Sequence, residues 1–261
     1  MGNIALEVKK YAKENLGARL VGIASVDRFE GAPKGHRPDD LLKGAQAVIV
    51  VGLPILKQLL NWRGMLKNSE VIPEKVQLPS GETFEARLQI ENHIYGRCTY
   101  ESINNELQRI TMHTAFFLEE AGHESTYMPV TYGSTFHPVR GPIPGWYAPF
   151  SHRHAGVAAG LGTLGINNLL LTEKYGARQR IGSIITTAPL EPDSVYEGNL
   201  CLGEKCLICV KECPLDIFGE RRSFQMLGKE MPLATMKKGN CVGAGIECGG
   251  TCMRVCPIGK P

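Results

Sequence analysis

Two apolar runs, R-L-V-G-I-A-S at 19–25 and A-V-I-V-V-G-L at 47–53, set the frame for reading this chain. Both are rich in β-branched residues. The second has no polar break, which predicts a strand buried on both faces. The loop between them holds A-P-K-G-H-R-P-D-D, with Asp39 or Asp40 placed to cap a helix. Ahead of them Ile4, Ala5, Val8, Tyr11, Ala12 and Leu16 recur at helical spacing and predict an amphipathic opening helix. Ile103, Leu107, Ile110, Phe117 and Leu118 form one stripe of a longer helix, from about Tyr100 to Ala121, stopped by Gly122. S-T-Y-M-P-V at 125–130 predicts a strand, and residues 168–190 predict two strands around a turn. Residues 54–97 show little beyond the turn L-P-S-G-E-T-F. Residues 132–154 form a long loop rich in Gly, Pro and aromatics, of the kind that carries function.

Composition adds exclusions. The chain has 261 residues, 43% hydrophobic and 21% charged, ordinary values for a globular protein. A net charge of +3 with scattered basic residues argues against a DNA binder or a membrane-surface protein. The opening residues mix Glu and Lys with apolar residues, unlike a secretory leader, and no apolar run approaches the ~18 residues of a membrane span. The expected compartment is the cytoplasm.

Eight of nine cysteines lie between Cys201 and Cys256. They form two runs, Cys201-x4-Cys206-x2-Cys209-x3-Cys213-Pro214 and Cys241-x6-Cys248-x3-Cys252-x3-Cys256-Pro257. Both close on C-x3-C-P, as ferredoxin-type cluster motifs do, and there the fourth Cys of a run ligates the other cluster. The spacing therefore predicts two [4Fe–4S] clusters, one on Cys201, Cys206, Cys209 and Cys256, the other on Cys213, Cys241, Cys248 and Cys252. Structural zinc and disulfides are the competing readings. One zinc needs four ligands, not eight, and a cytosolic chain disfavours disulfides. Cys98 stands alone in a mostly apolar stretch and reads as a buried small hydrophobe, with no role assigned.

Gly160, Gly162 and Gly165 spell G-x-G-x-x-G within A-A-G-L-G-T-L-G-I-N-N-L-L-L. A dinucleotide site would need a strand before the motif and an acidic residue about twenty positions on. Here S-H-R-H-A-G-V-A-A precedes it and R-Q-R follows at that distance, so NAD is disfavoured. The glycines then let backbone approach a flat or phosphate-bearing ligand, or allow close helix packing.

H-A-G-V-A-A-G-L-G-T-L-G-I-N-N-L-L-L-T-E-K-Y-G, followed by two ferredoxin-type runs, resembles the segment shared by epoxyqueuosine reductases and reductive dehalogenases. Y-G-R-C-T-Y-E-S-I-N-N-E-L and L-L-K-G-A-Q-A-V-I-V-V-G-L-P resemble further parts of that family. The resemblance implies a corrinoid (cobalamin) lying along Gly160, Gly162 and Gly165, reduced through the clusters. It implies catalytic roles for His154, which stands where epoxyqueuosine reductases carry an aspartate, and for Tyr100. Tyr147, His152 and Arg153 are looser candidates from the aromatic loop. The chain departs from the pattern in having Ile166 and Asn167 after Gly165 where the family has lysine or arginine. It also lacks the helical-repeat extension that epoxyqueuosine reductases turn toward tRNA and the twin-arginine signal of respiratory dehalogenases.

The expected architecture is an N-terminal α/β domain with a central sheet (1–190) and a C-terminal ferredoxin-like two-cluster domain (191–261). The expected function is a cytoplasmic, anaerobic, corrinoid-dependent reductase of a small molecule, fed by a low-potential donor such as ferredoxin or flavodoxin. The alternatives are a non-catalytic electron carrier and a tRNA-modifying epoxyqueuosine reductase. The sequence leaves the substrate and the oligomeric state open.

Overall fold

The computed structural model describes residues 3–131, 148–237, 241 and 245–259. The chain opens with helix α1 (Ile4–Lys10), capped by the Asn3 side chain, which accepts from the Ala5 N–H at 3.0 Å; the helix runs on into a π turn over Tyr11–Asn15. Strand β1 (Leu20–Ser25) follows, then the short helix α2 (Pro38–Leu41) and strand β2 (Ala47–Pro54). Asp40 does not precede α2 as its cap. It sits in the first turn and accepts from the backbone N–H groups of Gly35 (2.7 Å) and Arg37 (3.1 Å), and its pKa is lowered by Arg37 first and then Gly35.

The region that gave no clear pattern is structured. It holds helix α3 (Lys57–Leu60), a small hairpin of β3 (Val76–Gln77) with β4 (Thr83–Phe84), and helix α4 (Ala86–Tyr95). Glu91 of α4 is buried, and its carboxylate accepts from the N–H groups of Gly64 (2.9 Å) and Leu66 (2.6 Å), which pins that loop to the helix. The long helix begins earlier than its apolar stripe predicts. α4 passes through a π-helical stretch, Gly96–Glu101, into α5 (Ser102–Glu120) with right-handed helical backbone at Gly96 and at Ser102. Polar residues over 86–101 hide this extension.

Strand β5 (Ser125–Tyr127), helix α6 (His152–Ala158), β6 (Thr163–Leu164), β7 (Leu170–Leu171) and β8 (Gln179–Thr186) complete the first part. The main sheet has the order β1-β2-β8-β5, and all its pairings are antiparallel. The two strands expected around a turn at 168–190 do not pair with each other. β7 pairs with β6, and β8 joins the main sheet beside β2. The unbroken apolar run of β2 follows from layers on both faces. Ile49 and Val51 pack with Leu107, Ile110 and Leu118 of α5 and with Val8 of α1, while Val48 and Val50 pack with Ala155, Val157 and Ala158 of α6.

The segment L-E-P-D-S, residues 190–194, runs along the outer edge of β1. Asp193 donates its N–H to Ile23 O (2.9 Å) and its carboxylate accepts from Ile23 N (2.8 Å) while pairing with Lys9. That covers the strand edge otherwise open to pairing. Beyond it come helix α7 (Ile208–Lys211), a hairpin of β9 (Phe218–Met226) with β10 (Lys229–Met236), and helix α8 (Thr251–Val255). The hairpin inserts between the two cysteine runs. Its Met231, Phe224 and Leu233 pack into the layer under α6, and Ala234 N donates to Ile166 O at 3.1 Å. The described part is thus a mixed α/β fold around an antiparallel sheet. No helix among the described residues is long and apolar enough to cross a membrane.

Candidate functional site

The first cysteine set surrounds one cavity. Cys201, Cys206, Cys209 and Cys256 all line it, together with Ile166, Asn167 and Leu171 from the glycine segment. Backbone N–H groups of Ile166 (3.4 Å) and Gly203 (3.5 Å) donate to the Cys201 sulfur. Burial, reinforced by the nearby thiols of Cys256, Cys201 and Cys206, pushes the Cys209 thiol up to about 12. The second set gathers around Cys252, whose thiol is raised by burial and then by Cys248 and Cys241. Cys213 of the same set and Cys209 of the first add to this shift, and the latter makes the two sets neighbours. Among the described residues no three Cys, His or carboxylate side chains close on a point that would hold a single ion. Four thiols around a cavity, with N–H donors on sulfur, are the donor chemistry an iron–sulfur cube requires, and a cluster's positive iron would offset the cost of buried thiolates. The residues present fit such a group.

The glycine segment packs closely against the chain itself. It follows a helix and leads into β6, the reverse of a dinucleotide turn. A Cβ at Gly160 would overlap the carbonyl oxygen of Ser194, and one at Gly162 would overlap that of Leu171. At Gly165 a Cβ would lie 2.8 Å from Asn167 Oδ1. The chain's own atoms therefore fill the Cβ side of all three glycines, and the close packing brings Ile166–Leu171 against the first cysteine set. Ile166, where the resembled family has a basic residue, is buried with Cys209, Ile217 and Phe218.

The second set abuts a polar group. Tyr95, at the end of α4, lies near Cys248 and Cys252, and burial, with those thiols adding to it, pushes its phenol up to about 12. Its ring stacks on Trp62 at 5.7 Å, and Trp62 donates to Gly249 O at 3.3 Å. Tyr100, one turn on within the π-helical stretch, bonds through its hydroxyl to Thr131. The Arg180 guanidinium stands over the Tyr100 ring, 4.5 Å from its centroid, and its Nε donates to Asn104 Oδ1. Burial lowers the pKa of Arg180, and no carboxylate pairs with it among the described residues. Asn104 Nδ2 is buried with no hydrogen-bond partner among the described residues. Sequence reading missed Arg180 and Asn104. The only trace of the first was R-Q-R at the mouth of an otherwise apolar strand.

The other candidates divide. His152 is held at both ring nitrogens, Nε2 donating to Pro129 O (3.0 Å) and Nδ1 accepting from Ser183 Oγ (2.8 Å). Burial, with Arg180 and Arg153 nearby, lowers its pKa, which fits a neutral structural histidine. Arg153 donates to Asn168 O, and burial lowers its pKa while Cys241 opposes the shift. His154 bonds through Nδ1 to Ser151 Oγ at 2.6 Å, and its ring meets Phe224 edge-on at 5.1 Å. Tyr147 lies outside the described residues. Cys98 is exposed on the π-helical stretch, so it is not the buried hydrophobe its neighbours suggest.

No family model matches the chain. The epoxyqueuosine reductase of Aliivibrio fischeri is 25% identical over 233 residues, covering 81% of this chain and 53% of that protein. Over most of its length this chain is similar in sequence to epoxyqueuosine reductase. A solved epoxyqueuosine reductase bound to an epoxyqueuosine-modified tRNA-Tyr stem loop superposes with a TM-score of 0.51 at 17% identity, over 82% of this chain and 52% of that one. A reductive dehalogenase whose structure bears on B12-dependent dehalogenation reaches a TM-score of 0.57 at 17% identity, over 95% of this chain and 30% of that one. The fold is therefore shared with both groups, whose members are named reductases. The chain spans about half the length of the epoxyqueuosine reductases and under a third of the dehalogenase.

Proposed function

We propose that the chain is an iron–sulfur reductase of a small molecule, with the reacting site at Tyr100. Cys201, Cys206, Cys209 and Cys256 would hold one [4Fe–4S] cluster, and Cys213, Cys241, Cys248 and Cys252 the other. Bound clusters supply single electrons at low potential. The observation that carries this reading is the contiguity of the second cysteine set with Tyr95, Arg180 and Tyr100. The Tyr100 hydroxyl is placed to donate a proton, Arg180 adds a fixed positive charge beside it, and Asn104 orients the guanidinium. A carrier that only passes electrons has no use for a desolvated arginine with no carboxylate partner and a buried Asn104 Nδ2 with no hydrogen-bond partner among the described residues, both of which cost stability. These two features favour the reductase over the carrier.

A corrinoid enters this reading through the relatives alone. The glycines that the resemblance assigns to it are packed against the chain's own backbone, so no step is routed through a corrinoid. A tRNA substrate likewise rests on the relatives' names.

The test is anaerobic reconstitution, followed by iron and sulfide analysis and a cobalamin titration watched in the visible spectrum. Cluster absorption should appear in the wild type, and Tyr100→Phe should keep it while losing turnover of epoxides or halogenated aromatics. A protein that takes up no iron, or a Tyr100→Phe variant with full turnover, defeats the reading. A spectrum that cobalamin leaves unchanged removes the corrinoid and leaves the clusters in place. His154→Ala with unchanged turnover removes the role that resemblance gives His154.

A further inference from the structure

The two cysteine sets have different neighbours. The second abuts Tyr95 and the Arg180–Tyr100 pair. Cys256 of the first set lines, on its other side, a separate cavity of about 340 Å³ shared with Lys57, Asn61, Tyr175, Arg178 and Arg254. Three of these residues are cationic, and among the described residues no Asp or Glu lines the cavity. Lys57 and Arg254 are exposed. Arg178 donates through Nη1 to Ile55 O (2.9 Å) and lies 5.3 Å from the Tyr175 ring centroid, while its Nε is buried without a partner among the described residues. Lys174 stands over the same ring at 5.4 Å. None of Lys57, Lys174, Arg178 or Arg254 forms an ion pair among the described residues.

We infer that this basic rim beside Cys256 is where an acidic low-potential redox protein docks and delivers electrons. The inference rests on the cluster reading given above. Electron-transfer encounters are small and steered by charge rather than by large apolar area, which an open cationic rim with no internal counter-ions provides. The same rim borders Cys256 of the first set, whereas Tyr95 lies beside Cys248 and Cys252 of the second. Electrons entering here would pass from the first set to the second and on toward Arg180 and Tyr100. In the transfer itself, the donor's cofactor loses one electron and the cluster on the first set gains it. No atom or proton changes hands between the two proteins.

The experiment uses the cluster-loaded protein and flavodoxin, an acidic flavoprotein, as the probe. Oxidised flavodoxin is titrated in and its Kd read from flavin fluorescence at low and high salt. Cluster bleaching by the flavodoxin hydroquinone is followed anaerobically by stopped flow. A K57E/R254E variant is compared with R221E/R222E, which carries the same charge change on the exposed β9–β10 hairpin. K57E/R254E should weaken binding and slow bleaching at least about tenfold and flatten the salt dependence, while R221E/R222E stays within about twofold. Photoreduced deazaflavin, a small reductant, should bleach all three at one rate. Equal losses in both variants, no loss in K57E/R254E, or no binding to the wild type would overturn the docking site. Failure of the wild type to take up iron would instead overturn the cluster reading, and iron and sulfide analysis shows this before any donor is added.

Discussion

The guanidinium of Arg180, on β8, lies over the ring of Tyr100, on the π-helical stretch between α4 and α5, 4.5 Å from its centroid. A helix and a strand that are distant in sequence meet there through a cation and a π face, an arrangement that strengthens when water is excluded. Among the described residues Arg180 gains no carboxylate in exchange for its lost hydration. Arg180→Met should therefore leave the melting temperature unchanged or raise stability by about 1–2 kcal/mol, while turnover falls at least about 100-fold. Thermal melting beside a turnover assay separates the two effects. A large stability loss with proportional activity loss would make Arg180 structural.

The glycine segment makes a sharper stability prediction. Gly160→Ala and Gly162→Ala drive a Cβ into backbone oxygens that no rotamer change can move, so each should cost about 3 kcal/mol or more. A Cβ added at Gly96 would meet nothing within 4 Å, and the backbone there is already helical. Gly96→Ala should be neutral or stabilise by up to about 1 kcal/mol. Urea denaturation of the three variants checks the contrast.

His152 titrates below its ordinary value in the folded chain because burial and two neighbouring arginines disfavour its charge. Between its unfolded pKa of about 6.5 and the lower folded value, the unfolded chain binds a proton that the folded chain does not. The stability contributed is full above about pH 6.5 and is lost as pH falls, at up to about 1.4 kcal/mol per pH unit. Melting curves from pH 7.5 to 5.5 should show a shallower acid-side decline for His152→Gln than for the wild type.

Iron content should follow the two cysteine sets. Cys209→Ser, in the set around the first cavity, should lower iron from about eight to about four per chain, and Cys98→Ser should leave it unchanged. Anaerobic iron and sulfide assays read this directly.

Much of the frame was legible from the chain. The apolar positions of α1, the runs of β1 and β2 and the stripe of α5 each bury as their period requires, because local pattern and tertiary packing agree there. Cys201, Cys206, Cys209 and Cys256 line one cavity, and Cys248, Cys241, Cys209 and Cys213 lie near Cys252. Other parts were hidden for identifiable reasons. α4 is largely polar and is stabilised by the buried Glu91 holding a loop, which leaves no apolar period to read. The β9–β10 hairpin lies between two cysteine runs, where the motif draws attention from the strands. The G-x-G-x-x-G spacing is set by contacts with Ser194 and Leu171, and spacing alone cannot distinguish close approach to a ligand from close approach to the chain itself. Arg180 could not be told from a surface arginine until β8 placed it beside Tyr100 and Asn104.

The π-helical stretch over Gly96–Glu101 has a consequence for angular phase. It places an extra residue in the turn, so the side chains before it are rotated about the axis relative to those after it. The upstream part presents Tyr95 to Trp62 and the second cysteine set, while the downstream part presents Leu107 and Ile110 to the sheet. One rod is thereby keyed to two cores at once. Deleting a single residue between Gly96 and Ser102 would restore an ordinary helical turn and force a choice. Either Tyr95 swings off the cysteines, or the α5 stripe turns away from β2 and β8.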